Sequence, residues 1–144
     1  MTMIALTGIL NENLELFLEA ELFNDVNNYP TDIKIDTGMT GFDNDAFIGI
    51  SEEILINLKL KKKKESVKVW NPFTKCPEDC HLTELGTRLK ENGSTKFEYQ
   101  AIAAVILPFL DKTEVLIGPE FLTGILGTKR VIIDYEKNVF RIIK

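Results

Sequence analysis

Cysteine and histidine are scarce in this sequence, and their scarcity excludes several kinds of site. The chain contains two cysteines, Cys76 and Cys80, and one histidine, His81. Two cysteines in a chain of this length do not make a disulfide framework, and a single histidine beside both thiols does not suit a catalytic triad. The segment leaves three alternatives: free thiols, which we favour, a local disulfide that pins the loop, or a metal site that would still need a fourth ligand.

Positive charge and long apolar runs are also lacking. The net charge is −5 and the isoelectric point is near 5.0, whereas binding to nucleic acid requires a basic surface. The longest apolar run, residues 101–110, contains Pro108 and is too short for a membrane-spanning helix, which needs about 20 residues. The first residues lack the basic segment and cleavage site of a signal peptide. We therefore expect a cytoplasmic protein that binds neither nucleic acid nor membranes.

Apolar residues in alternation are abundant, and they predict a mainly β fold. Short apolar segments recur between turn signals such as Asn92-Gly93. Ser51 and Pro119 each suit the start of a short helix. We predict one domain over residues 1–144, a closed β-barrel with one or two short helices. The clearest alternation places five apolar residues on one face of a strand: Leu14, Leu16, Leu18, Ala20 and Leu22.

The segment with the clearest chemical meaning is an aspartate at the end of an apolar strand. Residues 33–35 are typical of a strand, and Asp36-Thr37-Gly38 follows them. A strand can hold a catalytic carboxylate in place, Gly38 permits a tight backbone turn, and the Thr37 hydroxyl can brace the loop by donating a hydrogen bond. On its own such a triplet is usually an ordinary turn, so its meaning depends on the rest of the chain.

A second element, about 80 residues later, completes a recognisable order. Residues 115–118 form an apolar strand that ends in Gly118, and a short helix from Pro119 to about Leu126 follows. These elements resemble the retropepsin-like aspartic proteases, in which an apolar strand leads into Asp-Thr-Gly and is followed by a flap hairpin, an apolar strand ending in glycine, a helix and a final strand. The sequence is similar in particular to their bacterial and archaeal branch, whose extended motifs match residues 36–42, 116–122, 131–135 and 139–143.

This resemblance implies an aspartic endopeptidase that needs neither a metal nor an organic cofactor. Its substrate would be a peptide or a protein. Asp36 would be the catalytic residue. The residues that support the active-site loop would be Thr37, Gly38, Thr40 and Gly118.

The resemblance also implies a flap, a hairpin that closes over the substrate and excludes water. Our candidate is residues 66–86, with the tip within an irregular loop of residues 71–80. Trp70 and Phe73 would then contact the substrate. The alternative is that both aromatic side chains simply pack on the barrel.

A single Asp-Thr-Gly implies a homodimer, because this chemistry needs two carboxylates around one water. The sequence contains no second Asp-Thr-Gly and no Asp-Ser-Gly. In a two-fold dimer the residue at the axis meets its own copy, so each protomer would supply one Asp36. Pro119 stands where retroviral members often carry arginine, and the flap region lacks a family signature. The alternative function is therefore a catalytically inactive dimer of the same fold that serves as a binding or scaffold module.

Overall fold

The structure is a computed structural model that describes residues 3–37 and 46–144. Most of the described residues lie in β-strands. A short helix, α1, occupies Glu52–Asn57, and a π-helical segment occupies Phe121–Ile125. The predicted mainly β fold with one or two short helices is confirmed. The strands of the described part are β1 Ile4–Leu10, β2 Leu16–Phe23, β3 Asn28–Ile35, β4 Ile48–Ile50, β5 Ser66–Asn71, β6 Cys76–Glu91, β7 Ser94–Ile106, β8 Val115–Ile117, β9 Arg130–Asp134 and β10 Val139–Ile143.

Six of these strands close into a barrel, as predicted. Hydrogen-bonded neighbours follow the order β2, β3, β8, β4, β7 and β6, and β6 pairs back with β2. Most pairs are antiparallel, but β3–β8 and β4–β7 are parallel. The paired registers shift by about ten residues around the ring, which is the stagger that tilted barrel strands require. Outside the ring, β5 extends the sheet beyond β6, and β1, β10 and β9 extend it beyond β2.

The alternation predicted for residues 14–22 places β2 in the barrel wall. Leu18, Ala20 and Leu22 are almost fully buried inside the barrel. Leu14 is exposed, because it precedes the strand in a turn where its φ is 61°. The prediction is therefore confirmed for the strand and wrong for Leu14. The interior cluster includes the large, fully buried side chains Leu6, Leu18, Leu22, Ile33, Ile48, Ile50, Ile54, Leu58, Leu89, Phe121 and Phe140.

Strand β3 begins earlier than the turn residues in its sequence suggest. Residues 24–30 are typical of a loop, yet β3 starts at Asn28, and Pro30 pairs with Glu21 of β2. Within the described part of the chain, only Lys34 and Ile35 of β3 pair with β8, so the Pro30 end of β3 has β2 as a neighbour on one side and no strand on the other. A proline is tolerated at such a position because its missing N–H leaves no ladder bond unmade. The longer strand anchors the segment that leads into Asp-Thr-Gly.

Helix α1 has the cap that the sequence predicts. The Ser51 hydroxyl accepts a hydrogen bond from the Ile54 backbone N–H at 3.3 Å, and Glu52 and Glu53 lie in the first turn. Acidic side chains at that end interact favourably with the helix dipole. Ile54 and Leu58 are fully buried, which ties α1 to the barrel. No helix in the described ranges is both long and apolar enough to cross a membrane.

A second apolar cluster lies on the opposite face of β7 and β8 from the barrel interior. Val115 and Ile117 belong to the interior cluster, whereas Leu116 between them faces the other way. This second group, called the outer cluster, joins β7 and β8 to the hairpin formed by β5 and β6. Its buried members are Ala46, Val69, Cys80, Val105, Leu107 and Leu116.

Candidate active site

Asp36 directly follows β3, at the point where this strand lies beside β8. The two strands run parallel, with Lys34 opposite Leu116 and Ile35 opposite Ile117. The Asp36 backbone N–H donates to the Ile117 carbonyl at 2.8 Å, and the residue is half-buried. The acid of the first motif therefore lies beside the last apolar residue of the second.

Two of the residues predicted to support the active-site loop lie in the described part of the chain. Thr37 is exposed in a turn after Asp36, and Gly118 is buried directly after β8. Gly38 and Thr40 lie outside the described residues. The strands before and after that stretch, β3 and β4, flank β8 on its two sides. The strand β8 thus separates the strand that enters the Asp36 motif from the next strand in the chain.

The segment after β8 is helical, as predicted, but mostly as a π-helix. The Leu126 N–H donates to the Phe121 carbonyl at 3.0 Å, which is the five-residue spacing of a π-helix. The helical residues begin at Pro119, as predicted, and they end before Gly127, whose φ is 73°. Phe121 is fully buried and packs edge-on against Tyr99, with ring centroids 6.1 Å apart. This contact attaches the segment to β7.

Charged groups beside the motif form an ion pair that was not predicted. Lys34 pairs with Glu15, whose carboxylate also accepts the Asn11 side-chain amide at 3.1 Å. The hydrogen bond from Lys34 is the main cause that lowers the pKa of Glu15, and the hydrogen bond from Asn11 lowers this pKa further. The hydrogen bond to Glu15 raises the pKa of Lys34, and the charges of Glu114 and Asp36 add to that increase. Asp36 therefore lies close to a cation, Lys34, two residues earlier in the chain.

Replacing Glu15 with glutamine is expected to destabilise the protein at pH 7 and to have less effect as the pH falls toward 3. A carboxylate whose pKa is lowered by folding stabilises the protein above its unfolded pKa, and this contribution is lost as the pH falls through the folded value. The effect is small because the pair is partly exposed. Urea unfolding across this pH range measures the difference in free energy of unfolding between the variant and wild type. Glu12→Gln, at an exposed residue, is the control. A difference from wild type that does not change with pH would contradict the ion-pair explanation.

The predicted flap candidate is a hairpin formed by β5 and the first part of β6. The two strands pair along the whole of β5, ending with Asn71 opposite Cys76. The Asn71 side chain accepts the Phe73 backbone N–H at 2.9 Å and so organises the turn of residues 72–75. The prediction of an irregular loop over residues 71–80 is therefore wrong from residue 76 onward, because β6 begins at Cys76. This part of β6 has β5 alone as a neighbour among the described strands, so it tolerates Pro77.

The two aromatic residues of the hairpin extend into solvent. Trp70 is 59% exposed and Phe73 is 77% exposed, so the alternative that both pack on the barrel is wrong for this chain. The opposite face of the hairpin carries Val69 and Cys80, which share the outer cluster with Leu116 of β8. The hairpin is thereby attached to the strand that lies beside the catalytic candidate.

Both cysteines are free thiols, so the disulfide alternative is wrong. Cys76 and Cys80 lie four residues apart on one strand, a separation of about 13 Å, whereas a disulfide spans at most about 7 Å between Cα atoms. His81 lies on the opposite face of β6 from Cys80, and its Nδ1 is 3.0 Å from the Lys63 carbonyl oxygen. These three side chains therefore do not converge on one ion. Burial, followed by two nearby acidic residues, raises the pKa of the Cys80 thiol, which disfavours the nucleophilic thiolate.

The residues that attach the hairpin to the site were not predicted. Ala46 and Leu116 contribute to the outer cluster, yet neither carries a chemical signal in the sequence. The sequence does indicate that β8 is covered on both faces, because residues 115–117 are all apolar, which is typical of such a strand. The identity of the segment that covers the second face depends on the tertiary structure.

In the described ranges, the site offers the carboxylate of Asp36 at the junction of two parallel strands, with an exposed threonine after it and a buried glycine directly after the neighbouring strand. One such group can accept or donate a proton, and two copies of it close together can share one. No protein-family model, curated protein or solved structure matches the chain.

Proposed function

We propose that this protein is a retropepsin-like aspartic endopeptidase that acts as a homodimer. The observation that carries the proposal is the hydrogen bond of 2.8 Å from the Asp36 N–H to the Ile117 carbonyl. It joins the strand that enters Asp-Thr-Gly to the strand that ends in Gly118. The order of elements, from β3 through the hairpin and β8 to the helical segment and β10, agrees with the order that the resemblance implies.

In the proposed mechanism, the two Asp36 side chains of a dimer hold one water between them. One carboxylate accepts a proton from the water while the other, protonated, donates a hydrogen bond to the scissile carbonyl. Two like charges about 4 Å apart repel by about 4 kcal/mol at an effective dielectric constant of about 20. This repulsion favours the arrangement that the mechanism needs, with one carboxyl group protonated and the other ionised, as in the paired aspartates of this enzyme class. No metal or organic cofactor takes part in these steps.

The β5–β6 hairpin is the proposed flap. Its outward face presents Trp70 and Phe73, and its inward face is held beside β8 by the outer cluster. Aromatic side chains can bury a large apolar area on binding, so exposed ones on a hairpin attached near a carboxylate suit contact with a peptide. Closure of the hairpin would exclude water from the reacting bond.

Trp70→Ala and Phe73→Ala are each expected to raise KM for a peptide substrate by about tenfold, the effect of losing one apolar contact with the substrate. Neither change should lower Tm appreciably, because both side chains are exposed. Steady-state kinetics on a fluorogenic peptide measures the effect. Val26→Ala, at a residue 84% exposed between β2 and β3, is the control. Unchanged kcat and KM in both aromatic variants would contradict the proposal that the hairpin contacts the substrate.

The experiment that tests the proposed function is cleavage of an unfolded protein from roughly pH 3 to pH 7 over a series of enzyme concentrations. We expect activity that favours acidic to mildly acidic pH. Specific activity should fall on dilution below the dimer dissociation constant, because each site takes one carboxylate from each protomer. Constant specific activity in a range where light scattering shows monomers would contradict the shared site. A dimer that cleaves nothing at any pH would favour the binding or scaffold module.

A further inference from the structure

Positive charge is concentrated in one part of the chain. Residues 59–75, called the basic segment, contain seven lysines and one acidic residue, Glu65. This segment therefore carries a net charge of +6 within a chain whose net charge is −5, and the remaining residues carry −11. It comprises a lysine run at residues 61–64, the strand β5 and the turn of the β5–β6 hairpin. Such asymmetry between parts of one chain indicates a charged partner.

Backbone contacts hold the lysine run along β6. The Lys63 N–H donates to the Leu82 carbonyl at 2.8 Å, and the Lys61 carbonyl accepts the Thr83 hydroxyl at 2.8 Å. Thr83 is buried, so its hydroxyl needs this partner. The run is therefore an ordered strip beside the hairpin. A partner that binds to it does not have to order its backbone, which lowers the entropic cost of binding.

Most lysine side chains of the basic segment have no carboxylate partner in the described part of the chain. Lys63 pairs with Glu84, and Lys68 pairs with Asp79 at 2.9 Å. The close like charges of the others repel one another, so a partner that supplies carboxylates would relieve this repulsion. These five are exposed and form no ion pair with a described residue: Lys59, Lys61, Lys62, Lys64 and Lys75.

The exposed aromatic side chain of Trp70 lies within reach of the lysine run. Trp70 lies opposite Pro77 of β6, and Lys61 bonds to Thr83, which is about six residues further along that strand. At about 3.3 Å per residue, these two positions are about 20 Å apart. About six residues of an extended peptide span the same distance. A peptide with an apolar residue against Trp70 can therefore place an acidic residue beside the lysine run.

We propose that the basic segment binds acidic peptides and makes this protein select substrates in which aspartate or glutamate lies near an apolar residue. The inference names the substrate class of the proposed endopeptidase, so it rests on the proposed function for cleavage, although the binding does not. The negative charge of the remaining chain repels a long polyanion such as a nucleic acid, whereas a short acidic stretch can contact the basic segment alone.

Peptide binding to the Asp36→Asn protein tests the inference without cleavage. The probe is a dye-labelled peptide with a central phenylalanine and glutamates about six residues to either side, compared with the same peptide carrying glutamine there. Fluorescence anisotropy measures the dissociation constant, and the emission of Trp70, the single tryptophan of the chain, reports contact at the hairpin. We expect the acidic peptide to bind about tenfold more tightly at low salt, through several exposed charge contacts. Added salt should reduce the difference, because it screens these charges.

A triple variant of the lysine run shows whether these lysines cause the preference. It carries Lys61→Gln, Lys62→Gln and Lys64→Gln, and its Tm should be unchanged because the three side chains are exposed. We expect its preference for the acidic peptide to fall at least about threefold. The matched control, which should keep the preference, changes the net charge equally at three exposed lysines outside the basic segment: Lys96→Gln, Lys112→Gln and Lys129→Gln.

Equal binding of the acidic and glutamine peptides would overturn the inference, and so would an equal loss of preference in the two triple variants. Tighter binding of single-stranded RNA than of the acidic peptide would also overturn it, in favour of a nucleic-acid partner. Cleavage of both peptides by the wild-type protein is measured in parallel. Binding that depends on the glutamates, without cleavage, would support the basic segment and refute the protease. Cleavage of both peptides with equal binding would do the reverse.

Discussion

Asparagine in place of Asp36 is expected to abolish peptide cleavage while leaving the fold and the proposed dimer intact. The amide matches the carboxylate in size, and the main-chain bond to Ile117 is retained. The asparagine amide cannot, however, accept the proton of the attacking water or hold the shared proton. Loss of general acid–base catalysis costs about 10²–10⁴-fold in rate, and both acids of the dimer are lost at once. We therefore expect activity below detection.

The matched control is Asp32→Asn, which replaces an exposed aspartate of β3 four residues before Asp36. This variant should cleave at the wild-type rate. Mixed dimers give a sharper test. Adding excess Asp36→Asn protein to wild type should inhibit cleavage, because a mixed dimer contains only one catalytic aspartate. Wild-type cleavage rates in purified Asp36→Asn protein would reveal a contaminating protease and leave the assignment without support.

The largest loss of stability is expected from Phe121→Ala. The ring is fully buried in the interior cluster, and it packs edge-on against Tyr99. Removing a buried phenylalanine ring lowers the free energy of unfolding by about 3–5 kcal/mol. Phe121 lies in the helical segment that follows Gly118, so we also expect cleavage to fall at temperatures where the variant remains largely folded.

Phe73→Ala provides the same chemical change at a residue 77% exposed, and should alter stability by less than about 0.5 kcal/mol. Urea unfolding of both variants and wild type measures the difference. The three proteins are compared at equal concentration, because dimer formation would make stability depend on it. Equal losses in the two variants would contradict the packing described for Phe121.

Local patterns predicted much of the fold correctly because they depend on a few neighbouring residues. Alternation over residues 16–22 determined which face of β2 is buried. The chemistry of single residues predicts the helix starts at Ser51 and Pro119. Asn92 and Gly93 adopt φ values of 52° and 80° in the turn between β6 and β7, as expected for that pair in a two-residue hairpin loop.

The wrong predictions of loops share a cause, which is that the number of neighbouring strands is not visible locally. Pro30 and Pro77 read as loop residues, yet each lies in a strand. Both occupy stretches that pair on one side only within the described part of the chain, where a missing N–H costs little. Trp70 and Phe73 were open to two interpretations because a hairpin has two faces, and only packing decides which face is covered.

The sequence by itself determined that a carboxylate ends an apolar strand and that a glycine ends another, because strand alternation and turn chemistry are local properties. Only the tertiary structure decided that these strands run parallel and touch, through a bond between residues 36 and 117. It also decided that the hairpin is attached to β8 and that the lysine run is held along β6. Such contacts join segments far apart in the chain, so they follow from the topology of the sheet and not from any single stretch of residues.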